Sequence, residues 1–238
     1  ADEKLTMATW GGVFRQTTET QIAKPFEEAT GADVQLIDVG GGWAAKIQAQ
    51  TAANNVQWDI IDSIDAGSAT LLFQNDMLAP LPEDLKQRLS AVSLPGSVTD
   101  FGIEEGSTGV IIACLAEVKC PTTAAEFFDV AAFPGPRAVI NEPTQTLPFA
   151  ALASGVAADD LFPVDLDRAF EMLDKIKGDV SVWTSSGDQQ QQVMRSGEVD
   201  MAIMWNGRAF DLTQKGTPLN MVWVGALLDP GYIVVLKD

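Results

Sequence analysis

Apolar residues recur along this chain with two alternating spacings. LTMATW (residues 5–10) is a short apolar run of strand length, and Gly11 and Gly12 close it. Phe14, Thr18, Ile22 and Phe26 then follow at helical spacing. Pro25 is expected to break that helix and restart it as a first-turn proline, and Gly31 to cap its end. DVQLIDV (33–39), closed by Gly40-Gly41-Gly42, and WDIIDSID (58–65) predict two more strands. WAAKIQAQTAAN (43–54) and AGSATLLFQNDML (66–78) predict helices, and APLP a linker. Strand and helix alternate, which predicts a parallel, doubly wound α/β sheet. After Gly102 the pattern restarts. Strands are expected at 108–118, 137–141, 180–183, 200–205, 220–225 and 232–237. Helices are expected at 122–130, about 147–156, about 165–177, 188–197 and 207–216.

Two α/β lobes in one chain predict a ligand cleft between them, lined by the carboxyl ends of strands. Those tips are Trp10-Gly11-Gly12, Gly40 to Trp43, Ser63 to Asp65, Asn141-Glu142, Trp183 to Gly187, and Trp205-Asn206-Gly207-Arg208. Trp10, Trp43, Trp183 and Trp205, four of the six tryptophans, fall at or beside them. A Trp face over a cation contributes about 0.5–2 kcal/mol, so Trp10 and Trp205 are candidate walls for an amine; the competing reading is aromatic core packing. Asp65, Glu142, Asp188 and Asp229 lie near the tips or the crossing between lobes. They could complete a cage, or simply cap helices and face water. Arg208 points the other way, to a carboxylate held with backbone donors near Ser185, Ser186 and Gly187.

Composition narrows the function. With 238 residues, 46% of them hydrophobic, the chain can bury a core, and no run reaches the roughly 18 apolar residues of a membrane span. A net charge of −18 argues against nucleic acid and anionic membrane surfaces. The absence of histidine removes Ser-His and Cys-His nucleophile pairs and the commonest zinc sites. No metal or cofactor is expected, though a hydrolase using two carboxylates such as Glu142 and Asp229 stays open. Cys114 and Cys120 flank LAEVK, too wide for a CxxC redox motif, and are either a short disulfide or two buried thiols. The opening ADEKLTMATW suits a mature secreted protein after signal removal.

LTMATWGGVF, KPFEEATGADV, WDIID, FFDVAAFPGPRAV, VWTSSGDQQQQVMRSGEVDMAIMWNGR and GTPLNMVW resemble, in order and across nearly the whole chain, the extracellular solute-binding proteins of ABC importers. The spermidine/putrescine-binding branch is the most similar, and GEVDMAIMWNG is the most specific block. The resemblance implies a periplasmic, monomeric, non-enzymatic receptor that delivers its ligand to an ABC permease. It implies a two-lobed type II fold with a hinge: 1–106 with 229–238 as one lobe and 107–228 as the other. Family members continue with C-terminal helices beyond the point where this chain stops, so those helices are expected to be missing. By the same resemblance, Trp10 and Trp205 would stack on a polyamine such as putrescine or spermidine, beside Gly11 and Asn206. Asp65, Glu142, Asp229 and Tyr232 would hold its ammonium groups. Two departures count against a polyamine: the single tyrosine weakens that reading, and Arg208, where polyamine binders often carry a small residue, favours a zwitterion such as γ-aminobutyrate as the alternative. Ser185, Ser186 and Arg208 would then take the carboxylate.

Overall fold

A computed structural model describes residues 4–237. The chain divides into two compact units, Ala1–Ser107 with Pro230–Asp238, and Thr108–Asp229.

The first unit contains β1 (Lys4–Thr9), α1 (Gly12–Thr18), α2 (Lys24–Thr30), β2 (Asp33–Asp38), α3 (Trp43–Ala52), β3 (Ile60–Asp65), α4 (Ala66–Gln74) and α5 (Glu83–Ser90). Two further strands, β4 (Gly102–Leu115) and, at the end of the chain, β8 (Leu219–Val235), contribute residues to both units. β1 runs parallel to β2 and β3, and β8 pairs antiparallel to β3. The core of this unit gathers Trp43, Ile47, Ile61, Ile64 and Leu72, none more than 1% exposed. Pro25 lies in the first turn of α2 and Gly31 caps its end, as expected, and the break ahead of it is a π-helical turn, Glu19–Ala23, that carries α1 into α2. Proline has no N–H to offer, and the wider turn lets the Lys24 N–H bond back to the Glu19 carbonyl. Helix α5 has only a short apolar stripe, Leu85 and Leu89, to announce it. Its signals are acids at Glu83 and Asp84 in the first turn and Arg88 in the last.

The second unit holds most of β4, then α6 (Ala124–Phe127), β5 (Arg137–Ile140), α7 (Pro143–Ala153), α8 (Leu166–Ile176), β6 (Val180–Thr184), α9 (Gly187–Arg195), β7 (Met201–Trp205) and α10 (Asn206–Gln214). Its strand order is β4-β7-β5-β6. β5 is parallel to both β6 and β7, and β4 is antiparallel to β7. Side chains alternate between two cores. Val110, Ile112 and Ile203 face Phe149 and Met172 of α7 and α8, while Ile111, Ala202 and Met204 face Met194 and Leu212 of α9 and α10. Both faces are therefore buried, which is why these strands read as continuous apolar runs.

Other elements also differ from expectation. β4 begins at Gly102, six residues before the predicted strand. The helix expected over 122–130 shrinks to the four residues of α6. The fully buried Arg137 explains that: its guanidinium donates to the Phe127 carbonyl, taking it from a continuing helix, and also to the Phe133 carbonyl beyond. The two strands expected near the end of the chain are one, β8. Cys114, at the end of β4, forms a disulfide with Cys120.

Candidate functional site

In the second unit the carboxyl ends of β7, β5 and β6 lie side by side, because the three strands are parallel neighbours. This brings Trp205-Asn206, Glu142 and Ser185-Ser186 to one edge. Trp205 is half-buried, and its indole N–H donates to Gln145 Oε1 at 2.8 Å. The Gln145 amide then donates to Asp229 Oδ2. The Trp205 backbone N–H donates to Gln190 Oε1 at 3.1 Å, and Gln190 is 1% exposed. A chain of amides thus fixes the ring and ties Asp229 to it. Asn206 caps the β4 ladder by accepting the Gly109 N–H at 2.9 Å.

Arg208, in the first turn of α10, is only 8% exposed. Its guanidinium lies on Gly187, the first residue of α9, where a Cβ would stand 2.2 Å from Nε. Its Nη1 reaches Asp188 Oδ1 at 3.2 Å. Burial holds the guanidinium below its ordinary range, while Asp188 and Asp211 act in the opposite sense. A cation and the amide end of a helix both attract anions, and here Arg208 holds the carboxylate of Asp188 in the first turn of α9. Ser186 caps α9 by accepting the Gln189 N–H at 3.2 Å, and the Ser185 N–H donates to Gln189 Oε1 at 2.8 Å. Glu142 sits half-buried just before α7 and accepts from the Thr144 hydroxyl at 3.3 Å.

The first unit holds a separate group. The Trp10 indole N–H donates to the Ser63 carbonyl at 2.9 Å, and its ring meets Trp43 edge-on with centroids 5.5 Å apart. Gly40, Gly41 and Gly42 all take positive φ (66°, 90° and 67°), a turn for which only glycine is suited, and Gly41 lies against the Trp10 ring. Gly11 precedes α1 as its N-cap residue, and Asp65 caps α4 by accepting the Ser68 N–H at 2.8 Å. Tyr232 on β8 packs against Phe101 at 5.6 Å; burial, then Glu104, raises the pKa of its phenol. The tryptophan clustering divides: Trp43 is a core residue, 1% exposed, because its ring fills the space between Trp10 and Trp58.

Gln145 and Gln190 escape sequence reasoning. Gln145 has one signal, its place three residues after the Glu142 tip, and Gln190 is hidden within the run of four glutamines at 189–192. Among the described residues no helix is long and apolar enough to cross a membrane, and no three His, Cys, Asp or Glu side chains gather as a metal site.

The sequence pattern of the bacterial extracellular solute-binding proteins matches residues 21–238. The chain belongs to this family. Its members are receptors rather than enzymes. The γ-aminobutyric acid-binding protein of Pseudomonas aeruginosa is 30% identical, over 99% of this chain and 68% of that protein. A shorter stretch of 69 residues is 35% identical to the spermidine/putrescine-binding periplasmic protein of Salmonella typhimurium, over 29% of this chain and 19% of that one. The solved structure of an ABC transporter substrate-binding protein from Bradyrhizobium japonicum superposes with a TM-score of 0.88 at 27% identity, over 99% of this chain and 73% of that one. The chain therefore has the α/β fold of the type II solute-binding proteins.

Proposed function

We propose that this receptor captures a small ω-amino acid of the γ-aminobutyrate type in the periplasm and passes it to an ABC permease. The observation that carries this reading is Arg208, nearly buried and pressed against the first turn of α9. In this reading Arg208 takes the ligand's carboxylate. Asp229, steered by Gln145, takes the ammonium, with Glu142 as a further acid, and the Trp205 ring covers the methylenes. On the first unit we assign the same covering role to Trp10. The similarity to the γ-aminobutyric acid-binding relative supports the same ligand class.

A polyamine is the second reading, supported by the acids and by the shorter match to spermidine/putrescine binders. It ranks lower because an ammonium about 4 Å from Arg208 would cost roughly 4 kcal/mol at an effective dielectric of about 20. Isothermal calorimetry with γ-aminobutyrate, putrescine and spermidine decides between them. Wild type should prefer the amino acid. Arg208→Lys should weaken it about tenfold or more, since the planar fork is lost, and leave the diamine unchanged. Tight polyamine binding indifferent to Arg208 would reverse the ranking.

A further inference from the structure

Asp62 lies on β3 and is fully buried. Its Oδ2 accepts from the hydroxyls of Thr9 and Thr18, both at 2.7 Å. Its Oδ1 has no partner among the described residues. A sealed acceptor without a donor is costly, so a proton should be supplied from nearby. A neighbouring acid, Glu105 of β4, interacts with Asp62 and with the Ser63 hydroxyl. β8 runs between β3 and β4, and it makes room with a glycine: a Cβ on Gly231 would stand 2.2 Å from Ser63 Oγ. Ser63 itself holds φ at 64°, within an irregular stretch of the β3–β8 ladder between Ile61 and Ile64.

This cluster grips Trp10 twice. Asp62 holds Thr9, the residue before it, and the Ser63 carbonyl holds its indole. We propose that Asp62 and Glu105 share one proton at neutral pH, with Glu105 as the neutral acid donating to Asp62 Oδ1, and that the pair positions the Trp10–Ser63 corner.

Two carboxylates in contact ionise together only at a high cost. Burial, then the charge and hydrogen bond of Asp62, push the Glu105 carboxyl up to about 8, and the Ser63 hydroxyl pulls it back. Glu105 keeps exposed surface, while Asp62 is fully buried. The other elements around the pair bring hydroxyls or charges already engaged. Thr9 and Thr18 come from β1 and α1, and Arg15 of α1 is paired with Asp38 at 3.3 Å. Just before β3, Asp59 accepts the Thr6 N–H at 2.6 Å, and at the end of β3 Asp65 caps α4. On β8, Tyr232 has Glu104 as its charged neighbour. A raised carboxyl pKa means that the folded state keeps a proton the unfolded chain releases. The pair's stability is thus complete below the ordinary value of 4.5 and is lost as pH rises towards about 8.

The role of Trp10 at the ligand rests on the function proposed above; the shared proton does not. The test is urea unfolding of the whole chain from about pH 5 to about pH 9, for wild type and Glu105→Gln. The amide still donates to Asp62 Oδ1 but does not titrate. The wild-type midpoint should fall up to about pH 8 and then level off, and the variant should lack that component of the slope. At about pH 7 the variant should bind γ-aminobutyrate within about twofold of wild type, and at about pH 9 wild type should be roughly threefold weaker than the variant. Parallel unfolding profiles would overturn the pair. Divergent profiles without binding of the amino acid by either protein would keep the pair and discard the ligand. Should Glu105→Gln not fold, infrared spectra of wild type with isotope-labelled glutamate take its place: a protonated carboxyl band at about pH 7 that fades by about pH 9 supports the pair, and its absence at about pH 7 overturns it.

Discussion

At the scale of single residues, the strongest constraint is the fit of Arg208 on Gly187. A side chain at position 187 would meet Nε at 2.2 Å, and a guanidinium only 8% exposed has little room to retreat. Gly187→Ala should therefore destabilise the protein by about 1–3 kcal/mol in urea unfolding, and weaken amino-acid binding along with it. Unchanged stability would mean that Arg208 moves freely and is a poor anchor. The sequence placed Arg208 and Gly187 at two strand tips. It could not place one on the other, because they are 21 positions apart and meet only where α10 packs beside α9. Gln145 and Gln190 were hidden for a related reason: their polarity has meaning only through the Trp205 atoms they bond.

At the scale of elements, local signals did well where a segment's own hydrogen bonds decide it. The caps of α4 and α9 follow from Asp65 and Ser186, whose side chains accept amides three residues on. They failed where a distant group competes. α6 stops short because buried Arg137 claims the Phe127 carbonyl. The Cys114–Cys120 disulfide closes a loop across six positions and fastens the end of β4 to the segment leading into α6. Opening a loop this short should cost about 2 kcal/mol, measurable as a lower urea midpoint after reduction. An unchanged midpoint would show that burial of Cys114 alone holds this end of the strand.

At the scale of the whole molecule, the net charge of −18 repels itself in the compact state. Raising ionic strength from about 0.01 M to about 0.15 M shortens the screening length from about 30 Å to about 8 Å, and the melting temperature should rise. A falling melting temperature would mean that surface ion pairs such as Lys86–Asp100 outweigh the repulsion. The sequence by itself determined the α/β class, the order of most elements and the receptor family, because apolar periodicity, caps and short motifs are properties of neighbouring residues. Only the tertiary structure decided that Trp43 is core, that Arg208 lies on the first turn of α9, and that Asp62 is sealed in the interior with one carboxylate oxygen unsatisfied among the described residues. Those outcomes depend on strand order and helix packing, which bring together residues that periodicity cannot pair.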